Sequence, residues 1–252
     1  MVIAYSDNGG IMSQLKRFYV TSRNEVMKYH ILSLIVLPFF LLGCAESVSR
    51  DDNPKILAMG DSLLASHRIS KRSITNSVEY KLGKPVIDRS VMGARILYNL
   101  PISGSMGMNI SKQYKAGNWD WVILNGGGND LWLGCGCILC DRKINRLISD
   151  GGQTGAIPKL ISKLRGTGAQ VIYVGYLRSP GVGSIIDHCR NEGNELERRI
   201  DSFAQKDDGV YFLSLTDLVP FGDRTYHGAD MIHPSIKASR IIGERVAEII
   251  KP

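Results

Sequence analysis

The chain has no apolar run long enough to cross a bilayer, which takes about 20 residues. Its longest, residues 31–42, is broken by Ser33 and Pro38. It has no block of five Lys or Arg and no helix-turn-helix, zinc-finger or RNP pattern, so a nucleic-acid partner has no support. It has no Gly-x-Ser-x-Gly, which argues against a nucleophile elbow of the α/β-hydrolase kind. Neither His-Glu-x-x-His nor Gly-x4-Gly-Lys-Ser/Thr occurs, so zinc-protease and P-loop chemistry lack a motif. Internal repeats and low-complexity tracts are missing too. The balance of 44% hydrophobic and 22% charged residues excludes disorder, collagen and a multi-span membrane protein.

What is present begins with an address. Met27-Lys28-Tyr29-His30 is a compact positive start to the apolar run, which ends at Leu41-Leu42-Gly43-Cys44. A basic start, a short apolar core and small residues at its end build a secretion signal. The last four residues resemble a bacterial lipobox, in which the signal is cut before a lipidated cysteine. Cys44 is then expected to be the anchored first residue of the mature protein. Position 45 is Ala, not Asp, which the resemblance links to outer-membrane sorting in a Gram-negative host. The expected division is residues 1–26 as a non-native extension upstream of a true start at Met27, 27–43 as signal peptide, 44–54 as tether and 55–252 as the working domain. The plain alternative for 27–44 is an ordinary N-terminal anchor or a buried helix. The net charge is +7, from 31 Lys/Arg against 24 Asp/Glu. Residues 45–252 hold 27 and 22 of these, a bias of +5 that suits anionic membranes or polymers.

From Lys55 onward, short apolar runs alternate with longer amphipathic ones. Strands are predicted at 55–60, 85–88, 119–124, 170–177 and 210–215, and helices at 73–82, 157–164, 194–204 and 234–250. Strands alternating with helices argue for a parallel sheet covered on both faces. About five strands in some 200 residues make one α/β, three-layer, doubly wound domain. Ligands of such sheets sit at the carboxyl ends of the strands.

Four segments fall at those ends. Gly60-Asp61-Ser62-Leu63 follows the first strand and places a hydroxyl at a helix start, where backbone N–H groups favour developing negative charge. Val91-Met92-Gly93-Ala94 follows the second strand and allows a close backbone N–H. Gly127-Gly128-Asn129-Asp130 follows the third and offers an amide donor. Asp230-Met231-Ile232-His233-Pro234 precedes the last helix and pairs a carboxylate with an imidazole. Taken singly, the first reads better as an N-cap, Asn129-Asp130 could be only a turn, and Asp230 with His233 only a capping pair. Together and in this order, they make residues 55–251 resemble the SGNH, or GDSL, hydrolase superfamily.

The resemblance implies a flavodoxin-like sheet and no metal or organic cofactor. Ser62 is similar to the family nucleophile, His233 to the general base and Asp230 to the residue that orients it. Gly93 and Asn129, with the N–H of Ser62, are similar to the oxyanion donors. His227 lies close enough to compete as the base but has no Asp three residues before it; His67 and His188 have no motif around them. A serine hydroxyl needs a base to take its proton, and an unperturbed imidazole titrates near ~6.5. The expected activity is serine-dependent hydrolysis of an ester, whether thioester, lysophospholipid or acylated sugar, by a monomer anchored in the bacterial cell envelope. The alternatives are acyl transfer at the same site and a non-catalytic envelope- or carbohydrate-binding module.

Beyond Cys44 the cysteines are Cys135, Cys137, Cys140 and Cys189. In an exported protein four cysteines favour two disulfides, and the expectation is one bond from the 135–140 cluster to Cys189 and one inside the cluster. A zinc or iron–sulfur site and a redox-active Cys-x-x-Cys are the competing readings. Residues 131–155 read as a long specificity loop in which Leu131, Trp132 and Leu133 line an acyl pocket. Residues 99–109, rich in Gly and Met, read as a flexible loop near the site.

Overall fold

The computed structural model describes residues 55–251. The extension at 1–26, the signal at 27–43, Cys44 and the tether lie outside the described residues. Among the described residues, no helix is long and apolar enough to cross a membrane.

Five short strands form the expected sheet: β1 (Ile56–Met59), β2 (Val86–Asp88), β3 (Trp121–Leu124), β4 (Gln170–Val174) and β5 (Val210–Leu213). Their order is β2-β1-β3-β4-β5 and every pairing is parallel. That is the flavodoxin-like order, in which the connections reverse direction beside β1. Alternate strand residues feed two cores. Leu57, Met59, Val122, Leu124, Val171 and Tyr173 belong to one. Ile56, Ala58, Ile123, Ile172 and Val174 belong to the other. Burial on both faces is why these strands read as unbroken apolar runs rather than alternating ones.

The helices divide accordingly. On the first face lie α3 (Gly128–Cys135), α4 (Asp141–Leu147), α5 (Ala156–Arg165) and α6 (Arg190–Ala204), contributing Leu131, Leu147, Ile161 and Ile200 among others. On the second lie α1 (Ser62–Ala65), α2 (Ile74–Leu82) and α7 (Ile236–Ile250), contributing Leu64, Val78 and Val246 among others. Ser73 and Asn76 form a reciprocal capping box at the start of α2, and Gly83 closes it in the left-handed conformation.

Three expectations are corrected. The last helix starts at Ile236, because Ser235 caps it through Ala238 N–H; Pro234 stays outside. The supposed loop at 131–155 holds most of α3 and all of α4. Residues 99–109 are not an open loop either: helical turns at Pro101–Ser103 and Gly104–Met108 fill it, and an isolated parallel bridge pairs Asn109 with Arg95.

Candidate active site

The first segment sits on the turn out of β1. Asp61 caps α1 by accepting the Leu63 N–H at 3.0 Å, which makes Ser62 the first helical residue. Buried Gln113 holds the preceding Gly60, accepting its N–H at 2.7 Å and donating to its carbonyl at 2.8 Å. The carbonyl of Gly60 also accepts the N–H of Val91 at 3.1 Å, which fastens the second segment to the first.

Gly93 follows in that second segment with φ +74°, a conformation that suits glycine. The third segment is clamped to it. Asn129, in the first turn of α3, donates its side-chain amide to the Ala94 carbonyl at 3.1 Å. That bond orients the amide and leaves its second N–H for another acceptor. Buried Asp130 accepts the N–H groups of Ile96 and Leu97 at 2.9 and 2.8 Å. Burial raises the Asp130 pKa, and those two bonds pull against it.

The fourth segment folds around its carboxylate. One oxygen of Asp230 accepts the N–H groups of Ile232 and His233, both at 3.0 Å. The other lies 2.5 Å from His233 Nδ1. Nδ1 therefore carries the proton, and Nε2 is the nitrogen able to accept one. Burial works to raise the Asp230 pKa, but the His233 ring and the two backbone N–H groups prevail and hold it at about 2. His227 offers no such arrangement. It is buried, neither ring nitrogen has a hydrogen-bond partner, and burial depresses its pKa against the pull of Asp230 and Asp187.

Ser62, Asn129 and His233 line one cleft of about 390 Å³. Its other walls are mainly apolar and include Leu131, Trp132, Leu177, Leu196, Val219 and Phe221. A cleft of this size, with mainly apolar surface and polar groups such as Ser62, Asn129 and His233 in its wall, suits a small organic ligand. Gly93 is not among the lining residues and adjoins the cleft through Ala94 and Asn129. Leu131 and Trp132 take the expected place, but Leu133 is exposed and does not.

The cysteines form two disulfides, Cys135–Cys140 and Cys137–Cys189, the arrangement anticipated from the export argument. Cys137, Cys189 and His188 cluster closely enough to suggest metal ligands, but the two sulfurs are bonded to each other. That bond joins the residues just after α3 to the start of α6, both in the cleft wall.

Several residues at the site carry no motif. His67, which has no motif around it, bonds through Nε2 to the Pro234 carbonyl at 2.9 Å, beside His233. Tyr176 bonds both Asp61 and Gly128. Arg178 makes a two-pronged ion pair with buried Glu197, which accepts the N–H of Tyr176. These contacts join residues far apart in sequence, so no local pattern signals them.

The sequence profile of the GDSL-like lipase/acylhydrolase family matches residues 58–241, the span that holds all four segments. The chain belongs to that family. It is an SGNH-type hydrolase of α/β class that acts on ester bonds. No curated protein matches the chain. Among solved structures, a protein from Streptococcus pneumonia is similar over 97% of this chain and 100% of its own, at 14% identity and TM-score 0.57. A lipase from a goat rumen metagenome matches at 17% identity and TM-score 0.52, covering 77% of this chain and 97% of its own. A family 2 carbohydrate esterase from Corynascus thermopiles, with a carbohydrate-binding domain, matches at 16% identity and TM-score 0.51, over 78% and 65% of the two chains. At these identities the neighbours speak for the fold of this SGNH hydrolase.

Proposed function

We propose that this hydrolase works through Ser62 as nucleophile, His233 as general base and Asp230 as the residue that orients it. The observation that carries the reading is the His233 Nδ1–Asp230 bond of 2.5 Å beside a cleft that Ser62 also lines. His233 Nε2 takes the hydroxyl proton as Ser62 Oγ attacks the ester carbonyl, and later returns it to the leaving alcohol. The tetrahedral oxyanion is held by the N–H groups of Ser62 and Gly93 and by the free amide N–H of Asn129. Water then hydrolyses the acyl-enzyme with His233 acting again.

The apolar walls favour an ester with a hydrophobic part, in keeping with a lipid or an acylated envelope polymer as substrate. Two disulfides suit an oxidising compartment. With the lipobox at Cys44, they support a protein held at the cell envelope by a lipidated N-terminus. A panel of chromogenic esters of graded acyl length, with Ser62→Ala as control, tests the reading. Turnover that rises with chain length and vanishes in Ser62→Ala is expected. Equal turnover in Ser62→Ala would defeat it.

A further inference from the structure

We propose that Tyr176 is a positioning residue of this site: its hydroxyl ties the nucleophile turn to the start of α3 and so fixes the spacing between Ser62 and Asn129. The proposal rests on the serine-hydrolase reading above. The hydroxyl donates to the Asp61 carboxylate and accepts the Gly128 N–H at 2.9 Å. Asp61 immediately precedes Ser62, and Gly128 immediately precedes Asn129. One oxygen atom therefore bridges the neighbours of the nucleophile and of the amide donor, which are brought by β1 and β3.

The ring has little freedom to leave. Its backbone N–H donates to Glu197 Oε1 at 2.7 Å, and Arg178 holds that carboxylate at 2.7 and 2.9 Å. Position 128 must be glycine for the contact to form, because a Cβ there would lie 2.6 Å from Tyr176 Cζ. The hydroxyl also stays protonated: burial first, then Asp61 and Tyr173, push its pKa well above the usual 10. It can therefore donate throughout the range in which an imidazole base works.

The tie carries a pH signature through Asp61. Burial raises this carboxyl from its ordinary 3.8 to about 6, against the bonds from Tyr176 and the Leu63 N–H. The other groups facing it are Asp130 from α3, which raises it further, His233 from the turn before α7, which lowers it, and the neutral Tyr173 hydroxyl of β4. Because the Tyr176 bond favours the carboxylate, its loss moves the Asp61 pKa upward.

The test is Tyr176→Phe in the full chain, which keeps the ring and removes one oxygen. A misplacement of reacting groups should lower kcat on a chromogenic ester about 10–100-fold while changing KM little. The acidic limb of the kcat/KM profile should move to higher pH. Amide hydrogen exchange at Gly128 should quicken, and this readout needs no activity. An unchanged kcat and acidic limb, or a loss matched by the fraction unfolded, would overturn the proposal. If the wild type cleaves no ester yet Gly128 exchange quickens in the variant, the hydrolase reading fails while the tie stands. Should Tyr176→Phe not fold, Asp61→Asn serves instead. It should remove the Asp61 part of the acidic limb and lower kcat; wild-type values of both would refute the tie.

Discussion

Asp61 shows burial and position pulling against each other. Its carboxyl is fully buried beside Ser62, and its folded pKa of about 6 lies above its ordinary 3.8. A raised carboxyl favours the folded state below about pH 4, and that contribution is lost as pH climbs through 6. The difference corresponds to roughly 3 kcal/mol. Asp61→Asn removes the charge and keeps an acceptor for the Leu63 N–H. Its melting temperature should exceed that of the wild type at pH 8, and the gap should close by pH 4; an equal gap at both pH values would contradict this. The proposed catalytic residues give a second set of outcomes. Ser62→Ala should bring hydrolysis to background with the fold intact, and His233→Ala nearly so, since nucleophile and base act as a unit. Asn129→Ala should lower turnover roughly 10²–10³-fold with little change in binding, as a transition-state donor does. If His227→Ala abolishes activity and His233→Ala does not, the base has been misassigned. As candidates, Ser62, Gly93, Asn129, Asp230 and His233 could be picked out because each sits in a short motif at a strand end or helix start, and the structure brings Ser62, Asn129 and His233 to one cleft. Tyr176, Gln113 and His67 were not, because their partners lie 48 to 167 residues away and no spacing encodes them.

Between elements, the two disulfides divide the work unequally. Cys135–Cys140 closes a turn of sequence separation 5, whereas Cys137–Cys189 spans 52 and joins two walls of the cleft. Within the small turn Cys137 and Leu139 hold φ near +55° and +54°, which costs a non-glycine residue about 1–3 kcal/mol and persists only where the surroundings enforce it. In the chain-entropy view the longer closure stabilises by about 2 kcal/mol more than the shorter. Replacing Cys137 and Cys189 together by Ser should therefore lower the melting temperature more than replacing Cys135 and Cys140. The reverse order, read by thermal unfolding of the two variants, would rule that account out. The same region shows where element reading failed. Buried parallel strands announce themselves as apolar runs, so β1 to β5 fell where the sequence put them. The carboxyl ends of β1, β4 and β5 were drawn too long, most of all at β4, which ends at Val174 and beyond which Tyr176 bonds Asp61 and Gly128. Helices α3 and α4 escaped notice because glycine and cysteine crowd the first, and the second, at Asp141–Leu147, is too short for a clear period.

At the scale of the whole molecule, the site and the envelope argument meet in a single question of where the chain is held. The hydrolase domain accounts for residues 55–251, and its disulfides fit an exported protein. Stable attachment to a membrane requires two lipid signals, since one acyl chain binds only marginally. The proposed lipid anchor, a diacylated Cys44, would meet that requirement, and the apolar run at 31–42 is shorter than the about 20 residues a membrane span needs. Cleavage should fall between Gly43 and Cys44. Expressed in a bacterial host and labelled with a fatty-acid probe, the wild type should yield a labelled product beginning at Cys44. The Cys44→Ser variant should accumulate as an unlabelled precursor that keeps residues 27–43. A product starting at Met27 should behave as the full chain does. If Cys44→Ser is trimmed to the same point and released from the membrane, an ordinary secretion signal is at work and the hydrolase is not lipid-anchored.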